Sequence, residues 1–582
     1  MDDPADLDSP QGPARAAARL PATRVAETGG PGRPVTVSVR GSDPAATLSV
    51  LDGVPLNSPF LGGADLAGLA LLPLESLTVA RGGLSAAFGT DAVGGVVDAR
   101  VQGPLDWPGT EVSLLAGSFG TARLKAAHAA TAAGGRVGAL ASAGFLKSGG
   151  DFPYIDTNGH SRERTHAGVA ALDGLVKVEA APGRGHRVSL LAEGFAGDRE
   201  VPGMEQYPSD TARQRDSRVV VAAAWDGPGP FRRDGRSAAR VFVRRVGFRY
   251  DDSAPPMGPA VSNVLVSWGV GGDASASVRP LSWLAVSAGA GGTCDLASAR
   301  RLRGSGYDER RTTASAWAGV EVGREERLVL LTAVVRGQWA GGMDFGATGG
   351  FVAVPRGTVA SRPVRWLRLF ADAARAFRLP TLEELYFDAG FVRGNPDLDP
   401  EDSFTWDAGL ELLPADGVSV KAAYFETRSD NLILFLPRSA YLTRAENSGS
   451  ALLRGVEASA SARAGPVGLA ASYTFLDARD RTAGLSLPNR PRHAAAGEVF
   501  GEAGPVRASV RVAGQTGFFQ NRFESLREEG RVTADLRLEV RPIPALLLAV
   551  DVQNVSDVRD AVDALQQPLP GRAFYGSVKV SL

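Results

Sequence analysis

The sequence predicts an all-β protein built from many short strands, and three observations carry that expectation. Among 582 residues, 71 Gly and 37 Pro with only 22% charged residues supply frequent turns. From about Thr110 onward, runs of eight to ten residues alternate apolar with polar, the period of half-buried strands. The chain then ends in a run, Phe574, Gly576, Val578, Val580 and Leu582, that alternates to the last residue and suits a barrel closing on itself.

In chain order, residues 1–34 are rich in Pro, Gly and Ala and open acidic, MDDPADLDSP, so they are expected to be disordered or weakly ordered. No positively charged and apolar leader pattern is visible there. From Arg40 to Asp98, apolar runs at Leu48 to Leu51, Leu77 to Val79 and Val93 to Val97 alternate with turn punctuation and predict a compact leading domain. Leu66 to Leu74 is an apolar run read as its core. Two arginines in this domain, Arg40-Gly41 and Arg81-Gly82-Gly83, each precede glycine, which permits unusual backbone angles and close approach of another surface.

Beyond the leading domain the cleanest strand is Val532, Ala534, Leu536, Leu538 and Val540 on one face against Thr533, Asp535, Arg537, Glu539 and Arg541 on the other. Val506 to Val512, Val456 to Ala462, Leu546 to Val552 and Phe404 to Leu412 repeat it. Alternation alone does not separate a soluble sandwich from a barrel with its apolar faces in lipid. Size favours the barrel, because the 477 residues after position 105 hold about 22 strands with their loops. Phe152 to Arg164 and Asp198 to Asp216 read as long polar loops, whereas other connections are brief.

Composition excludes other classes. Near-equal charge, 63 Lys+Arg against 64 Asp+Glu, argues against nucleic acid. A single cysteine, Cys294, excludes an internal disulfide framework. No apolar run reaches the length of a membrane helix, which does not exclude barrel strands of about 9–11 residues. The five histidines form no H-E-x-x-H pattern, and no phosphate-binding loop or nucleophile elbow is present, so no enzyme is expected. Adjacent carboxylates such as Glu383-Glu384 would alternate faces on a strand.

Several motifs together resemble the TonB-dependent outer-membrane receptors of the ferric-siderophore and cobalamin type. The leading domain carries VRG, SVLDGVPLN and LESLTVARGGLSAAFGTDAVGGVVD. In the family's order follow RAFRLPTLEELY (375–386), GNPDLDPE (394–401), YFETRSDNLI (424–433), NSGSALLRGVE (447–457), LPNRPRH (487–493), NVSD (554–557) and LPGRAFYGSVKVSL (569–582). The resemblance implies an all-β transmembrane barrel of about 22 antiparallel strands, occluded by a small mixed α/β N-terminal plug. It divides the chain into an N-terminal segment 1–34, a partial plug at 35–105 and an outer-membrane barrel at 106–582. It implies uptake of a ferric siderophore or cobalamin into the periplasm of a Gram-negative cell, driven by a TonB-type energy-transducing protein. The expected setting is a monomer in outer-membrane lipid, with no cofactor and no metal of its own. Three features depart from the family: the final residue is Leu582 rather than an aromatic, no signal peptide is seen, and no TonB box or first plug strands are recognised before Arg40. A second reading is therefore a structural or adhesive outer-membrane barrel that has lost energy coupling.

The alternation assigns Glu401 and Glu457 to the polar faces of their strands. If those faces line the lumen, both point at the plug, with Arg40 and Arg81 as partners. This resembles the arginine–glutamate cluster that locks the plug in known receptors. In the family the plug's apical loops and the outer loops bind ligand, so the resemblance implies Asn57, Ser58, Leu84 and Ser85 as contact candidates. Phe152, Tyr154, Tyr207 and Tyr250 are aromatics near the expected loops that suit a siderophore or corrin face or, equally, a girdle at the lipid interface. Asp151, Asp156, Asn158 and Asp198 lack the dense spacing of a dedicated calcium loop.

Overall fold

The structure is a computed structural model, and it describes residues 9–10, 12–27, 29–30, 32–229, 235–324, 329–341, 350–389, 392–439, 442–563 and 566–582. Its outer layer is a closed antiparallel barrel of 22 long strands. The first, Gly109–Gly117, pairs antiparallel with the last, Ala573–Ser581, and this pairing closes the wall. A two-residue strand, Val392–Arg393, adds in parallel to Leu442–Ala464.

Burial decides which face meets which solvent. On the strand Arg531–Ile543, Val532 is 61% and Leu538 46% exposed, whereas Arg537 is 8% and Glu539 7% exposed. Charged residues inside and apolar residues outside invert the order of a water-soluble sheet and match a wall with lipid outside and a polar lumen inside. The two rims differ as well. At one rim the turns are two residues long at 184–185, 282–283, 365–366, 416–417, 465–466, 504–505 and 544–545. The opposite rim carries the connections 149–168, 201–212, 379–400, 481–492, 516–530 and 554–572.

The plug fills the lumen. Its four-stranded sheet comprises β3 (Thr47–Leu51), β4 (Val54–Pro55), β5 (Leu74–Arg81) and β6 (Gly95–Val101), in the order β4-β3-β6-β5. A separate hairpin pairs β1 (Thr23–Glu27) with β2 (Val35–Val39). Leu66, Leu69, Leu71 and Leu72 are buried around a short 3-10 turn, Ala67–Leu71, as expected for plug core. Small and apolar lumen-facing side chains of the wall, among them Ala127, Leu175, Val220 and Phe242, join the plug's own valines and leucines in one core.

The N-terminal segment differs from its expectation. Within 1–34, Pro13–Ala18 forms a helix and β1 is a paired strand, so the plug includes elements ahead of residue 35. The reason is tertiary. Ala14 and Ala17 are buried in the core, and Arg15 lies 3.7 Å from Asp535 of the wall, so an Ala-rich stretch with little intrinsic amphipathic signal is held by its surroundings. Residues 1–8, 11, 28 and 31 of that segment lie outside the described residues.

Candidate functional site: the plug–barrel junction and the lumen

Arg40 follows β2 and adopts φ 52°, with Gly41 at φ 78°. This left-handed pair turns the chain sharply and sends the Arg40 side chain to the wall. Its guanidinium donates through Nε and Nη2 to the two carboxylate oxygens of Glu457, at 3.2 and 2.9 Å, and through Nη1 to Asp407 at 2.7 Å. Its Cζ lies 4.9 Å from the centre of the Phe425 ring. Arg40 is 4%, Asp407 6% and Glu457 4% exposed, so water does little to screen these charges. Gly82, at φ 98°, passes so close that a Cβ there would meet Arg40 Nη1 at 3.2 Å and Asp407 Oδ2 at 3.3 Å.

Arg81 reaches the same carboxylate less firmly. Its Nε lies 3.4 Å from Glu457 Oε1, and its Nη1 donates to the carbonyl of Pro21 at 3.1 Å. The two arginines feel opposite net fields. Burial works against the Arg40 cation, but Glu457 and Asp407 outweigh it and raise its pKa. At Arg81 burial prevails over Glu457 and, with repulsion from Arg40, lowers the pKa.

Of the four residues expected to meet here, Arg40, Arg81 and Glu457 do, and Glu401 does not. Glu401 accepts from Arg378 at 2.8 and 2.6 Å and from the backbone of Ile433 at 3.0 Å. Arg378 also holds Glu384, whose side chain and Thr381 cap the short helix Leu382–Tyr386 reciprocally. Glu401 thus secures the 379–400 loop. It starts its strand at the loop-bearing rim, six residues and about 20 Å along the strand from Asp407, which takes the expected place beside Arg40. Asp407 lies on the same polar face as Glu401, so its candidacy was visible in the alternation of Glu401–Ala415.

The ligand-contact candidates separate by burial. The Asn57 amide is buried, accepting from Ser49 at 2.8 Å and donating to Thr47 at 3.0 Å, so it braces the plug's own β3. Leu84 and Ser85 are buried too, and the Ser85 hydroxyl accepts from Phe377 of the wall at 3.4 Å. Phe152 is buried beneath Arg164, whose Cζ stands 5.4 Å from its ring centre, and Tyr154 is half-buried in the same loop hairpin. Ser58 is half-buried and its hydroxyl caps the Phe60 and Leu61 amides, while Leu61 beside it is exposed. Phe60 packs with Tyr307, Leu382 and Leu385, and the Leu382 amide donates to the Pro59 carbonyl at 2.9 Å. The plug apex is therefore tied to the loop that Glu401 secures. Asp156 serves its own turn, accepting from the Asn158 and His160 amides.

A family model described as "TonB dependent receptor-like, beta-barrel" matches residues 199–555, and one described as "TonB-dependent Receptor Plug Domain" matches residues 6–96. Solved structures of the same fold include the siderophore receptor PirA from Acinetobacter baumannii. It is 16% identical, with 99% of this chain and 97% of that chain covered and a TM-score of 0.81. The copper transporter OprC is 17% identical, with 99% and 98% covered and a TM-score of 0.83. The ferric yersiniabactin uptake receptor FyuA from Yersinia pestis is 16% identical, with 100% and 97% covered and a TM-score of 0.79.

Proposed function

This chain belongs to the TonB-dependent receptor family, and on that premise we propose that it captures a scarce ligand at the loop-bearing rim of an outer-membrane barrel and passes it to the periplasm when a TonB-type protein displaces the plug. The family consists of transporters and receptors rather than enzymes. The observation that carries the proposal is the plug's mode of seating. A lumen filled by a separate folded domain, fastened through the buried Arg40, Glu457 and Asp407 set together with other plug–wall contacts, gives a closed resting state that displacement of the plug would open. Buried ion pairs suit such a latch because they contribute modestly while intact and are costly to leave half made.

A ferric siderophore or cobalamin is the ligand class this reading favours. The siderophore receptors among its structural neighbours support the first, and the copper transporter marks how widely ligands vary on one fold. Ser58 and Leu61 at the plug apex, with Tyr154 and Tyr207 on the loops, are the contacts proposed for it. The test is uptake of labelled ferric siderophore and cobalamin by cells carrying this protein, with and without the TonB-type partner. Accumulation that collapses without the partner supports the receptor reading. Accumulation indifferent to the partner, or none of any ligand tried, sinks it in favour of an uncoupled barrel.

A further inference from the structure

Under the plug's 3-10 turn, Ala67–Leu71, the wall buries two carboxylates side by side. Asp173 lies on the strand Val169–Gly183 and is 1% exposed, and Glu193 lies on His186–Glu200 and is 2% exposed. Asp173 stands opposite Phe195 and Glu193 opposite Leu175, which makes the two carboxylates diagonal neighbours on the lumen face. The turn presses directly on Asp173's two cross-strand partners. A Cβ at Gly144, opposite Asp173 on Val137–Ser148, would stand 2.7 Å from Leu71 Cβ, and a Cβ at Gly68 would stand 2.9 Å from the Phe195 ring. Leu71, Leu146, Ala171 and Phe195 close over the site as one apolar cluster.

One guanidinium serves both carboxylates. Arg218, on Arg213–Pro228, donates through Nε to the two oxygens of Glu193 at 3.1 and 3.2 Å and again through Nη2, and its Cζ stands 5.3 Å from the centre of the Phe195 ring. Asp173 lies within hydrogen-bonding reach of Glu193, yet among the described residues neither of its oxygens has a donor. The other charges nearby are engaged elsewhere or stand off. Lys177, farther along the strand, is bound to Asp52 and Glu179, and Arg199 is paired with Asp65 and Asp216. Lys125 stands two strands round the wall, in register beyond Gly144. The 3-10 turn carries no ionisable side chain. Two bare carboxylates in contact beneath an apolar cover repel each other, and a single proton between them turns that repulsion into a hydrogen bond.

We propose that Asp173 and Glu193 share one proton while the plug is seated, and that the pair gives this proton up to water when the plug is displaced, so that seating is linked to pH. Seated, the Asp173 carboxylic acid donates to Glu193, whose charge is matched by Arg218, and the buried group carries no net charge. With the turn lifted, water solvates both carboxylates. The Asp173 O–H bond then breaks, its electron pair stays on the carboxylate and the proton leaves to solvent. The seated state therefore binds one proton more than the displaced state. By linkage, seating is strongest at low pH, and above the ordinary carboxylate range, about 4, it weakens by about tenfold per pH unit until the seated pair itself ionises. Nothing in this step depends on which ligand is carried.

The experiment uses the full chain in neutral detergent and in planar bilayers. Infrared spectra of the parent at neutral pH are expected to show the C=O stretch of a protonated carboxyl group that is absent from Asp173→Asn and that fades as pH is raised. Glu193→Gln, which leaves Asp173 as the carboxylate beside Arg218, is expected to remove the band as well. In bilayers, the urea concentration needed to open a conductance through the parent is expected to fall from mildly acidic to mildly alkaline pH. Asp173→Asn, whose amide N–H takes the place of the shared proton toward Glu193, is expected to keep the plug seated at neutral pH and to lose that slope. Circular dichroism matching the parent checks that both variants are folded. Asp416→Asn, in an exposed two-residue turn, is expected to keep the parent's band and slope. No carboxyl band in the parent, as for two ionised groups bridged by water, or a band that persists in both variants, overturns the shared proton. A slope equal in parent and Asp173→Asn, or seating that tightens as pH rises, overturns its link to plug displacement.

Discussion

Two arginine clusters share one lumen and differ in what they touch. Every guanidinium bond of Arg40 goes to a carboxylate, the charges nearly cancel, and the group fastens the plug to the wall. At Arg24, Arg490 and Arg511 the hydrogen bonds reach backbone carbonyls instead, and carboxylates such as Asp563 and Asp535 act only from farther away. Residue type and burial are similar in both. The difference lies in whether the guanidiniums bond to fixed carboxylates or to neutral carbonyls.

That contrast can be broken in graded steps. Arg40→Ala is expected to have the largest effect on plug seating, about 3–5 kcal/mol, because it strands buried Asp407 and leaves Glu457 with only the longer contact to Arg81. Conductance through the protein in planar bilayers should rise accordingly. Glu457→Ala should raise it less, at the lower end of that range or about 3 kcal/mol, since Asp407 still holds Arg40. Arg81→Ala should cost only about 1 kcal/mol, as its contact with Glu457 is longer and Arg40 remains. Glu401→Ala should leave conductance at the parent level and instead make the 379–400 loop more susceptible to limited proteolysis. A leak from Glu401→Ala as large as that from Glu457→Ala would erase the distinction between latch and loop anchor.

Much of the barrel was legible because its two faces meet different solvents. The alternation of Val532 to Val540 against Thr533 to Arg541 reports that difference directly, and Leu442–Ala464 places Glu457 on the lumen face by the same rule. Alternation gives the face and not the height. Glu401 and Asp407 share a face, and only the position of the rim, set by where the wall ends and the loop begins, tells which stands level with Arg40. The opening segment was illegible for another reason: Pro13–Ala18 and β1 are too short to show a period, and their order comes from partners such as Asp535, far along the chain. Ligand candidates taken from loop proximity had the same weakness. Nothing in the sequence around Asn57 or Ser85 announces that these side chains turn inward to Thr47 and Phe377.

The seating of the plug by Arg40 and Glu457 is tested most directly by a double-mutant cycle on solute leakage from proteoliposomes, using Arg40→Ala, Glu457→Ala and the pair together. Each single change should increase leakage, and the pair should leak clearly less than the two effects combined, because the second change removes a charge that the first had stranded. Strictly additive effects, or leakage equal to the parent in all three, would contradict the claim that these two side chains hold the plug to the wall.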